Sequence, residues 1–152
     1  MTKESLFSGI GVLDIASFIA APAAVLSDFG ADVIKVERSG MGDPHRYTHL
    51  SPPNPPSQEN YAWQLANRSK RSLAPDLKHP HAAEVLVRLV KWADVLVTNF
   101  PPHVRKRPRS NYDDVSPLNP RLICADITGY GEVGRKRTSP GSTLRRIGRV
   151  RG

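Results

Sequence analysis

The sequence predicts an α/β fold: an open, mostly parallel, Rossmann-like sheet with helices on both faces. Short apolar runs that are typical of buried strands lie at 12–15, 33–36, 95–97 and 122–127. Helical patterns separate several of these runs. Buried strands that alternate with helices favour parallel pairing, because each crossover helix covers one face of the sheet.

The first strand–helix–strand unit lies within the first 36 residues. A helix is predicted over 20–29, with Pro22 in its first turn, where a missing amide hydrogen is tolerated, and with Gly30 at its end. The connections on either side of this helix are short. They indicate a parallel pair of strands joined by a right-handed crossover.

A second amphipathic helix precedes the third strand. We expect it to open at 78–80, with Pro80 in its first turn. Apolar residues then follow the i, i+3, i+4, i+7 spacing of one buried face, namely Ala82, Val85, Leu86, Leu89, Val90 and Ala93. A short helical turn is predicted at 113–118. The segment 39–71 has no clear periodicity and is rich in Pro, Asn, Ser and Gly, so a long loop that is either functional or disordered is expected.

The positive charge is concentrated at one end of the chain. The net charge is +8, but residues 135–152 hold seven basic and no acidic residues, whereas 1–134 hold 15 basic and 14 acidic ones. A nucleic-acid-binding protein needs basic side chains spread over a folded face. We therefore predict a folded domain at 1–134, followed by a basic tail at 135–152 that is disordered because it has few large apolar residues.

Composition also restricts the compartment and the metal chemistry. Cys124 is the single cysteine and lies in an apolar run, which excludes a disulfide framework and favours a buried, inert thiol. No apolar stretch approaches membrane-spanning length and the first residues lack the pattern of a signal peptide, so a cytoplasmic protein without membrane contact is predicted. His79 and His81, taken with Asp76, lack a further ligand at metal-site spacing, and no metal is expected.

Residues 129–134 read G-Y-G-E-V-G and match the dinucleotide-binding pattern G-x-G-x-x-G directly after a strand. In that pattern a helix opens at the third glycine and an acidic residue follows about 20 positions later. Neither feature is present in the sequence, because the basic tail follows. A glycine-rich turn that leaves the sheet is therefore favoured over a dinucleotide site.

The run Arg105-Lys-Arg107-Pro-Arg109 is a compact basic cluster beside proline-rich loops. It fits a solvated loop or a phosphate contact, since guanidinium groups bind phosphate oxygens in a bidentate manner. A nucleic-acid patch is the alternative, although Tyr112 is the one aromatic residue nearby that could stack on a base. The sequence has no G-x-S-x-G motif to support a serine nucleophile.

Several longer motifs occur along the chain. They are V-L-D-I-A-S-F-I-A-A-P at 12–22, D-F-G-A-D-V-I-K-V-E-R-S-G-M-G-D at 28–43, N-R-S-K-R-S-L at 67–73, D-L-K at 76–78, A-D-V-L-V-T-N-F-P-P at 93–102 and L-N-P-R-L-I at 118–123. In this order and spacing they resemble the N-terminal part of the family III CoA-transferases, which include formyl-CoA transferase, carnitine CoA-transferase and α-methylacyl-CoA racemase. The resemblance implies coenzyme A or an acyl-CoA and a carboxylic acid as substrates, with CoA transferred between them.

The resemblance also implies which residues contact CoA. CoA carries a 3′-phosphate, a pyrophosphate and an adenine, so its site needs basic residues near the carboxyl ends of parallel strands, and Arg38 follows the second strand. A surface ion pair is the alternative role for Arg38. Ile19 stands where formyl-CoA transferase has a polar glutamine, which argues against that enzyme's substrate. The positions that match the family's CoA contacts are Arg38, Pro75, Asp76, Leu77, Lys78, Asn99, Phe100, Arg107, Thr128, Gly129, Tyr130 and Gly131.

The nucleophile that the resemblance implies is missing from the sequence. Family members resemble covalent catalysts in which an aspartate attacks the acyl-CoA thioester, giving an anhydride and then an aspartyl-CoA thioester. This aspartate is expected in a G-F-D or G-Y-D motif, but the matching stretch reads Pro140-Gly-Ser-Thr143 and no aspartate follows Glu132. Thr143 is a weak nucleophile without an adjacent base. No catalytic residue is therefore assigned, and the polypeptide alone is predicted to be inactive.

A shifted reading frame near codon 134 is our hypothesis for this loss. Read from the last base of each codon, the tail can encode P-E-A-D-K-P-G-F-D-A-T-A-Y-W-A-R-S-G, which places an aspartate opposite Thr143. The chain would then be an N-terminal fragment that lacks the nucleophile. It would also lack the second domain and the chain return that, by family resemblance, form an interlocked homodimer. The nucleotide sequence of the locus tests this hypothesis.

Three interpretations remain open from the sequence. The first is the CoA-binding part of a transferase or of an α-methylacyl-CoA racemase, and stabilisation by CoA would favour it. The second is a small basic module that binds nucleic acid or another anion, and salt-dependent DNA binding would favour it. The third is an unstable remnant without function, which would show no cooperative melt.

Overall fold

The computed structural model describes residues 5–19, 21–76, 79–106 and 109–129. Within these ranges the strands are β1 Gly11–Asp14, β2 Asp32–Val36, β3 Lys70–Leu73, β4 Val95–Thr98 and β5 Ile123–Asp126. The helices are α1 Ala21–Asp28, the 3-10 helix Pro44–Leu50, α2 Tyr61–Asn67, α3 Ala82–Trp92, α4 Pro102–Arg105 and α5 Tyr112–Val115.

All the described strands pair in parallel, in the order β3-β2-β1-β4-β5. Because β1 pairs with both β2 and β4, it lies at the centre of the sheet, and the chain order reverses between β1 and β4. In open α/β sheets, ligands bind at such a reversal, outside the carboxyl ends of the strands. The predicted α/β fold with parallel pairing is confirmed.

Neighbouring residues of β1 pack on opposite faces of the sheet. Leu13 belongs to a buried cluster with Val90 of α3 and Val115 of α5. Val12 packs instead with Ala23 of α1. This alternation follows from the two-residue period of a strand. Helices therefore cover both faces, as the sequence predicts.

Helix α1 lies within the predicted range, with Pro22 as its second residue. Gly30 follows the helix with φ +99°, a conformation that side chains rarely adopt. A Cβ atom at Gly30 would also lie 2.4 Å from Cβ of Ser5. Both the backbone conformation and the close approach of the N-terminal segment therefore require glycine at this position.

The segment 39–71, predicted to be a long loop, contains the 3-10 helix, α2 and the start of β3. Strand β3 reads K-R-S-L and lacks the apolar run of a buried strand. Its alternate side chains bond to buried carboxylates instead, with Lys70 donating to Asp14 and Ser72 donating to Glu37. The prediction of a long loop is therefore wrong for these elements, although the rest of the segment is irregular and contributes to the clefts described below. Strand β3 has no apolar run because polar contacts hold this edge strand.

Helix α3 begins at Ala82, later than the predicted opening. Residues 79–81 form a turn that precedes it, in which the N–H of Ala82 donates to the carbonyl oxygen of His79 at 3.0 Å. The predicted apolar face is confirmed: Val90 is fully buried, and Leu86 and Leu89 pack against the same cluster. The periodic pattern therefore predicted the buried face of the helix correctly, but it placed the first residue of the helix too early.

The helical turn predicted at 113–118 is confirmed: helix α5 begins one residue earlier than that range, at Tyr112, and residues 116–118 continue it as a turn. At its start, the carboxylate of Asp114 accepts the backbone N–H of Asn111 at 3.3 Å and the side-chain amide of Asn111 at 3.1 Å. Strand β5 follows after a short connection and is two residues shorter than the predicted run at 122–127.

Candidate functional site

A cleft of about 260 Å³ opens at the carboxyl ends of the strands. Its walls come from the loops after β1 and β2, from the start of the 3-10 helix and from the segment after β4. The parallel sheet brings these loops to one edge, beside the point where the chain order reverses. The lining residues are Ala16, Ser17, Val36, Glu37, Arg38, Met41, Gly42, Asp43, Pro44, Tyr47 and Phe100.

Reciprocal hydrogen bonds tie the loop after β1 to the end of β4. The backbone N–H of Ser17 donates to Oδ1 of Asn99 at 2.9 Å, and Nδ2 of Asn99 donates to the carbonyl oxygen of Ser17 at 2.7 Å. Asn99 is one of the residues predicted to contact CoA. In the structure its amide fixes the backbone of the neighbouring loop, which forms part of the cleft wall.

The carboxylate of Asp43 joins two loops that flank the cleft. It accepts hydrogen bonds from the N–H of Phe18, at 3.2 and 3.3 Å to its two oxygens, and from the N–H of His45 at 2.8 Å. Phe18 has φ +62°, a left-handed conformation that is uncommon for a residue other than glycine and often occurs at functional sites.

Two lysines are buried beneath the cleft. Lys35 of β2 is 1% exposed, donates to the carbonyl oxygen of Ala16 at 2.8 Å, and lies 3.0 Å from Oδ2 of Asp43. Nζ of Lys70 lies 2.8 Å from Oδ2 of the fully buried Asp14. Burial lowers the pKa of Lys70, and the carboxylate of Asp14 opposes this change. Each buried ammonium therefore has the partner that burial of a charge requires.

Glu37, which directly follows β2, is a further buried acid. Arg46 binds it in a bidentate manner, through Nε and Nη2 at 2.7 Å each. Ser72 donates to it at 2.6 Å and the N–H of Asp43 at 3.0 Å. Burial raises the pKa of Glu37, but these hydrogen bonds outweigh burial and lower the pKa to about 2. The guanidinium of Arg46 also lies 3.8 Å from the ring centre of Trp63, a cation–π contact.

Among the described residues, the charges of the buried network are balanced, and the cleft above it has one cation without a partner in that part of the chain. Three acids face three bases in the network, namely Asp14, Glu37, Asp43, Lys35, Lys70 and Arg46. Arg38 is the one lysine or arginine among the described lining residues. It is exposed, and its side chain has no hydrogen bond or ion pair within the described part of the chain. The surface ion pair considered for Arg38 is therefore not seen there.

The predicted CoA contacts are distributed along the whole carboxyl edge of the sheet. Arg38 and Phe100 line the cleft. The segment 75–76 follows β3 at one border, and the segment 128–129 follows β5 at the other. These borders are separated by roughly 19 Å, since neighbouring strands are about 4.8 Å apart. The residues so placed are Pro75, Asp76, Thr128 and Gly129.

The remaining predicted positions, together with the tail 135–152, lie outside the described residues. They are Leu77, Lys78, Arg107, Tyr130, Gly131 and Thr143.

The basic cluster at 105–109 is not an exposed patch throughout. Arg105 is 3% exposed, and its Nη1 lies 2.9 Å from Oδ1 of Asp126 in β5. Its charge holds α4 against the carboxyl end of β5. Lys106 and Arg109 are exposed. The hypothesis of a solvated loop or a nucleic-acid patch is therefore wrong for Arg105, because this guanidinium is already used inside the fold.

The residues that organise the cleft were not predicted as site residues. A signal was present, because Lys35 interrupts the apolar run V-I-K-V and Asp14 interrupts V-L-D-I. A charge in a buried strand must have a partner. The partner is not evident from the sequence, since Asp14 and Lys70 are 56 residues apart.

A comparison with models of protein families matches residues 7–144 to CoA-transferase family III. The chain belongs to CoA-transferase family III. The resemblance inferred from the order of the sequence motifs is thereby confirmed, and the family membership applies to the sheet whose carboxyl edge forms the cleft.

Several curated relatives of the chain are CoA-transferases. The chain is 40% identical over 142 residues to the cinnamoyl-CoA:phenyllactate CoA-transferase of Clostridium sporogenes, a match that covers 91% of this chain and 34% of the relative. It is 40% identical over 133 residues to a formyl-CoA:oxalate CoA-transferase of Rhodopseudomonas palustris, covering 86% and 30%. The chain spans about a third of the length of these relatives.

Solved structures show the same fold. A CAIB/BAIF family protein from Brucella suis superposes with a TM-score of 0.84 at 30% identity, over 96% of this chain and 39% of that one. A hypothetical protein from Mycobacterium tuberculosis superposes with a TM-score of 0.80 at 32% identity, over 93% and 38%. The α/β arrangement of the family III chain is therefore shared with structures that extend well beyond it.

Two kinds of site are not found in the part of the chain that the structure describes. No three or more His, Cys, Asp or Glu side chains are grouped there so that they could hold a metal ion. None of the helices in those residues has both the length and the apolar character needed to cross a membrane.

Proposed function

We propose that the cleft binds the CoA part of an acyl-CoA, and that the chain belongs to an enzyme that transfers CoA between an acyl-CoA and a carboxylic acid. Membership of CoA-transferase family III supports the reaction class. The observation that supports the binding site is Arg38, an uncommitted guanidinium in a cleft at the carboxyl ends of parallel strands.

The charge of the site supports an anionic ligand at Arg38. Within the described part of the chain, each base of the buried network is paired with an acid, so Arg38 supplies the cation for a phosphate group of CoA through charge-assisted hydrogen bonds. Phe100 and Tyr47 line the same cleft and offer apolar surface to the uncharged parts of CoA. An exposed cation beside aromatic surface fits a ligand that is charged at one end and uncharged along its length.

The other matched positions extend this site along the carboxyl edge. The segments 75–76 and 128–129 lie at opposite borders of the sheet, so one ligand that contacts both must be elongated, as CoA is. Asn99 acts through the backbone of Ser17, which it fixes by two hydrogen bonds.

Titration calorimetry with CoA tests the binding site. The chain is expected to bind CoA, and Arg38→Ala to weaken the binding about tenfold, because one charge-assisted contact to phosphate is lost. Comparison with dephospho-CoA then identifies whether that phosphate is the 3′-phosphate. Absence of CoA binding by the unmodified chain would contradict the proposal. So would an Arg38→Ala variant that binds CoA as tightly as the unmodified chain does.

Arg121→Ala is the matched control for the change of charge. The Arg121 side chain is 84% exposed, precedes β5 at the opposite edge of the sheet, and lies 3.8 Å from Asp94. Its removal is expected to leave the affinity for CoA unchanged.

We propose in addition that the chemistry uses an aspartate nucleophile and an aspartyl-CoA intermediate, as the family resemblance implies. Glu37 and Asp43 line the cleft, but each is held by a basic side chain and by donated hydrogen bonds. Such stabilised carboxylates are weak nucleophiles. The nucleophile is therefore expected outside the described residues, and CoA transfer by a polypeptide of these 152 residues alone would contradict this part of the proposal.

A further inference from the structure

A second cleft lies next to the first. It also measures about 260 Å³ and is lined by Phe18, Pro44, Tyr47, Thr48, Ser51 and Asn54. Pro44 and Tyr47 line both clefts. A ligand that is anchored in the first cleft can therefore continue into the second along the surface of the 3-10 helix.

The second cleft is uncharged and partly aromatic. Among the described residues that line it there is no lysine, arginine, histidine, aspartate or glutamate. Both aromatic residues are about half exposed, Phe18 at 55% and Tyr47 at 48%. Such surface favours a flat apolar group, because contact removes apolar area from water. A carboxylate placed there would lose hydration without gaining a cation.

The backbone of Phe18 is an independent observation in favour of a binding role. Its φ of +62° is unfavourable for a residue with a side chain. Asp43 holds this conformation by accepting the N–H of Phe18, and Lys35 holds Asp43 at 3.0 Å. A buried ion pair thus keeps an aromatic ring exposed at the edge of the cleft, although burial of that ring would remove more apolar surface from water.

We propose that the second cleft holds the acyl group of the thioester and selects a flat apolar acyl group over a dicarboxylic one, with Phe18 as a specificity-determining residue. This inference rests on the proposed binding of CoA in the first cleft. It names the class of acyl substrate from the chemistry of the six lining residues.

Benzoyl-CoA, succinyl-CoA and CoA are the probes that test this inference by titration calorimetry of the chain. Benzoyl-CoA is expected to bind about five- to tenfold more tightly than CoA, and succinyl-CoA no more tightly than CoA. Phe18→Ala is expected to reduce the ratio of benzoyl-CoA affinity to CoA affinity to about one. Tyr112→Ala is the matched control, since Tyr112 is an aromatic residue of α5 with 58% exposure, and it should leave the ratio unchanged.

A second variant tests whether the lack of a cation in the second cleft is what disfavours a dicarboxylic acyl group. Ser51 lines the second cleft and is exposed, so Ser51→Arg places a cation there without removing a buried group. Succinyl-CoA is then expected to bind more tightly than benzoyl-CoA. The inference is overturned if CoA binds but benzoyl-CoA binds no more tightly than CoA. It is also overturned if Phe18→Ala still binds benzoyl-CoA more tightly than CoA. Either result would leave the proposed CoA site unaffected. If neither CoA nor its thioesters bind, the proposed function fails and this inference fails with it.

Discussion

Asp43 positions three parts of the cleft through one carboxylate. It accepts the N–H groups of Phe18 and His45, and it pairs with the ammonium group of Lys35. Lys35 in turn donates to the carbonyl oxygen of Ala16. A buried carboxylate without such partners would be strongly unfavourable. The loop after β1, the start of the 3-10 helix and strand β2 are therefore coupled through a single pair of charges.

At the same scale, the lowered pKa of Glu37 predicts that the folded protein loses stability in acid. Its pKa is about 2 in the folded protein, below the ordinary value of 4.5. Because the folded-state pKa is the lower one, ionisation of Glu37 stabilises the fold. This contribution is complete above pH 4.5 and is lost as the pH falls from 4.5 to about 2.

Urea unfolding of the chain and of Glu37→Gln over this pH range measures the effect. The variant is expected to be less stable by about 2 kcal/mol near neutral pH, because hydrogen bonds to a charged acceptor are lost, and the difference should shrink in acid. The exposed Glu59 offers a control, and Glu59→Gln should change stability little at any pH. A difference between the chain and Glu37→Gln that does not vary with pH would contradict the prediction.

At the scale of elements, the end of helix α3 depends on a side chain from the connection before β5. Nδ2 of Asn119 donates to the carbonyl oxygen of Val90 at 3.0 Å and to that of Ala93 at 2.7 Å. Asn119 is 8% exposed. The last carbonyl groups of a helix have no partner within the helix, so this amide links the end of α3 to the segment that leads into β5.

Asn119→Ala is therefore expected to lower the free energy of unfolding by about 2 kcal/mol, since buried carbonyl groups are left without a donor. Asn119→Asp keeps the shape but removes the donor and should be at least as destabilising. The exposed amide of Asn54 bonds to the carbonyl oxygens of Thr48 and Ser51, in competition with water, so Asn54→Ala should cost no more than about 0.5 kcal/mol. If urea unfolding shows that Asn119→Ala and Asn54→Ala lower the free energy of unfolding equally, this interpretation is contradicted.

At the scale of the whole molecule, the parallel sheet separates its two edges. Both clefts and Arg38 lie at the carboxyl edge. Asp94 and Arg121 lie at the amino edge, where a carboxylate oxygen of Asp94 accepts the N–H of Gly11 at 2.9 Å. A ligand at the carboxyl edge should therefore leave the amino edge unaffected.

Hydrogen exchange with and without CoA checks this separation. CoA is expected to slow amide exchange in the segments 16–18 and 41–48, which form the walls of the clefts. The segments 93–94 and 119–122 at the amino edge should exchange at the same rate in both samples. Protection of the amino edge, with none at the cleft walls, would place the ligand elsewhere.

Features that depend on local pattern could be predicted from the amino-acid sequence. The apolar runs located β1, β2, β4 and β5, and the 3.6-residue spacing located the buried face of α3. Pro22 and Gly30 marked the two ends of α1, because each restricts the backbone at its own position. The order of the motifs identified the family, and with it Arg38 and Phe100, which the structure places in the cleft.

The pairing of charges that are distant in the sequence became evident only from the folded structure. Strand β3 is held by bonds from Lys70 to Asp14 and from Ser72 to Glu37, over separations of 56 and 35 residues. Arg105 proved to be buried against Asp126 instead of solvated. The physical reason is that a local pattern reports whether a side chain is compatible with burial, whereas the partner of a buried charge is set by which strands become neighbours.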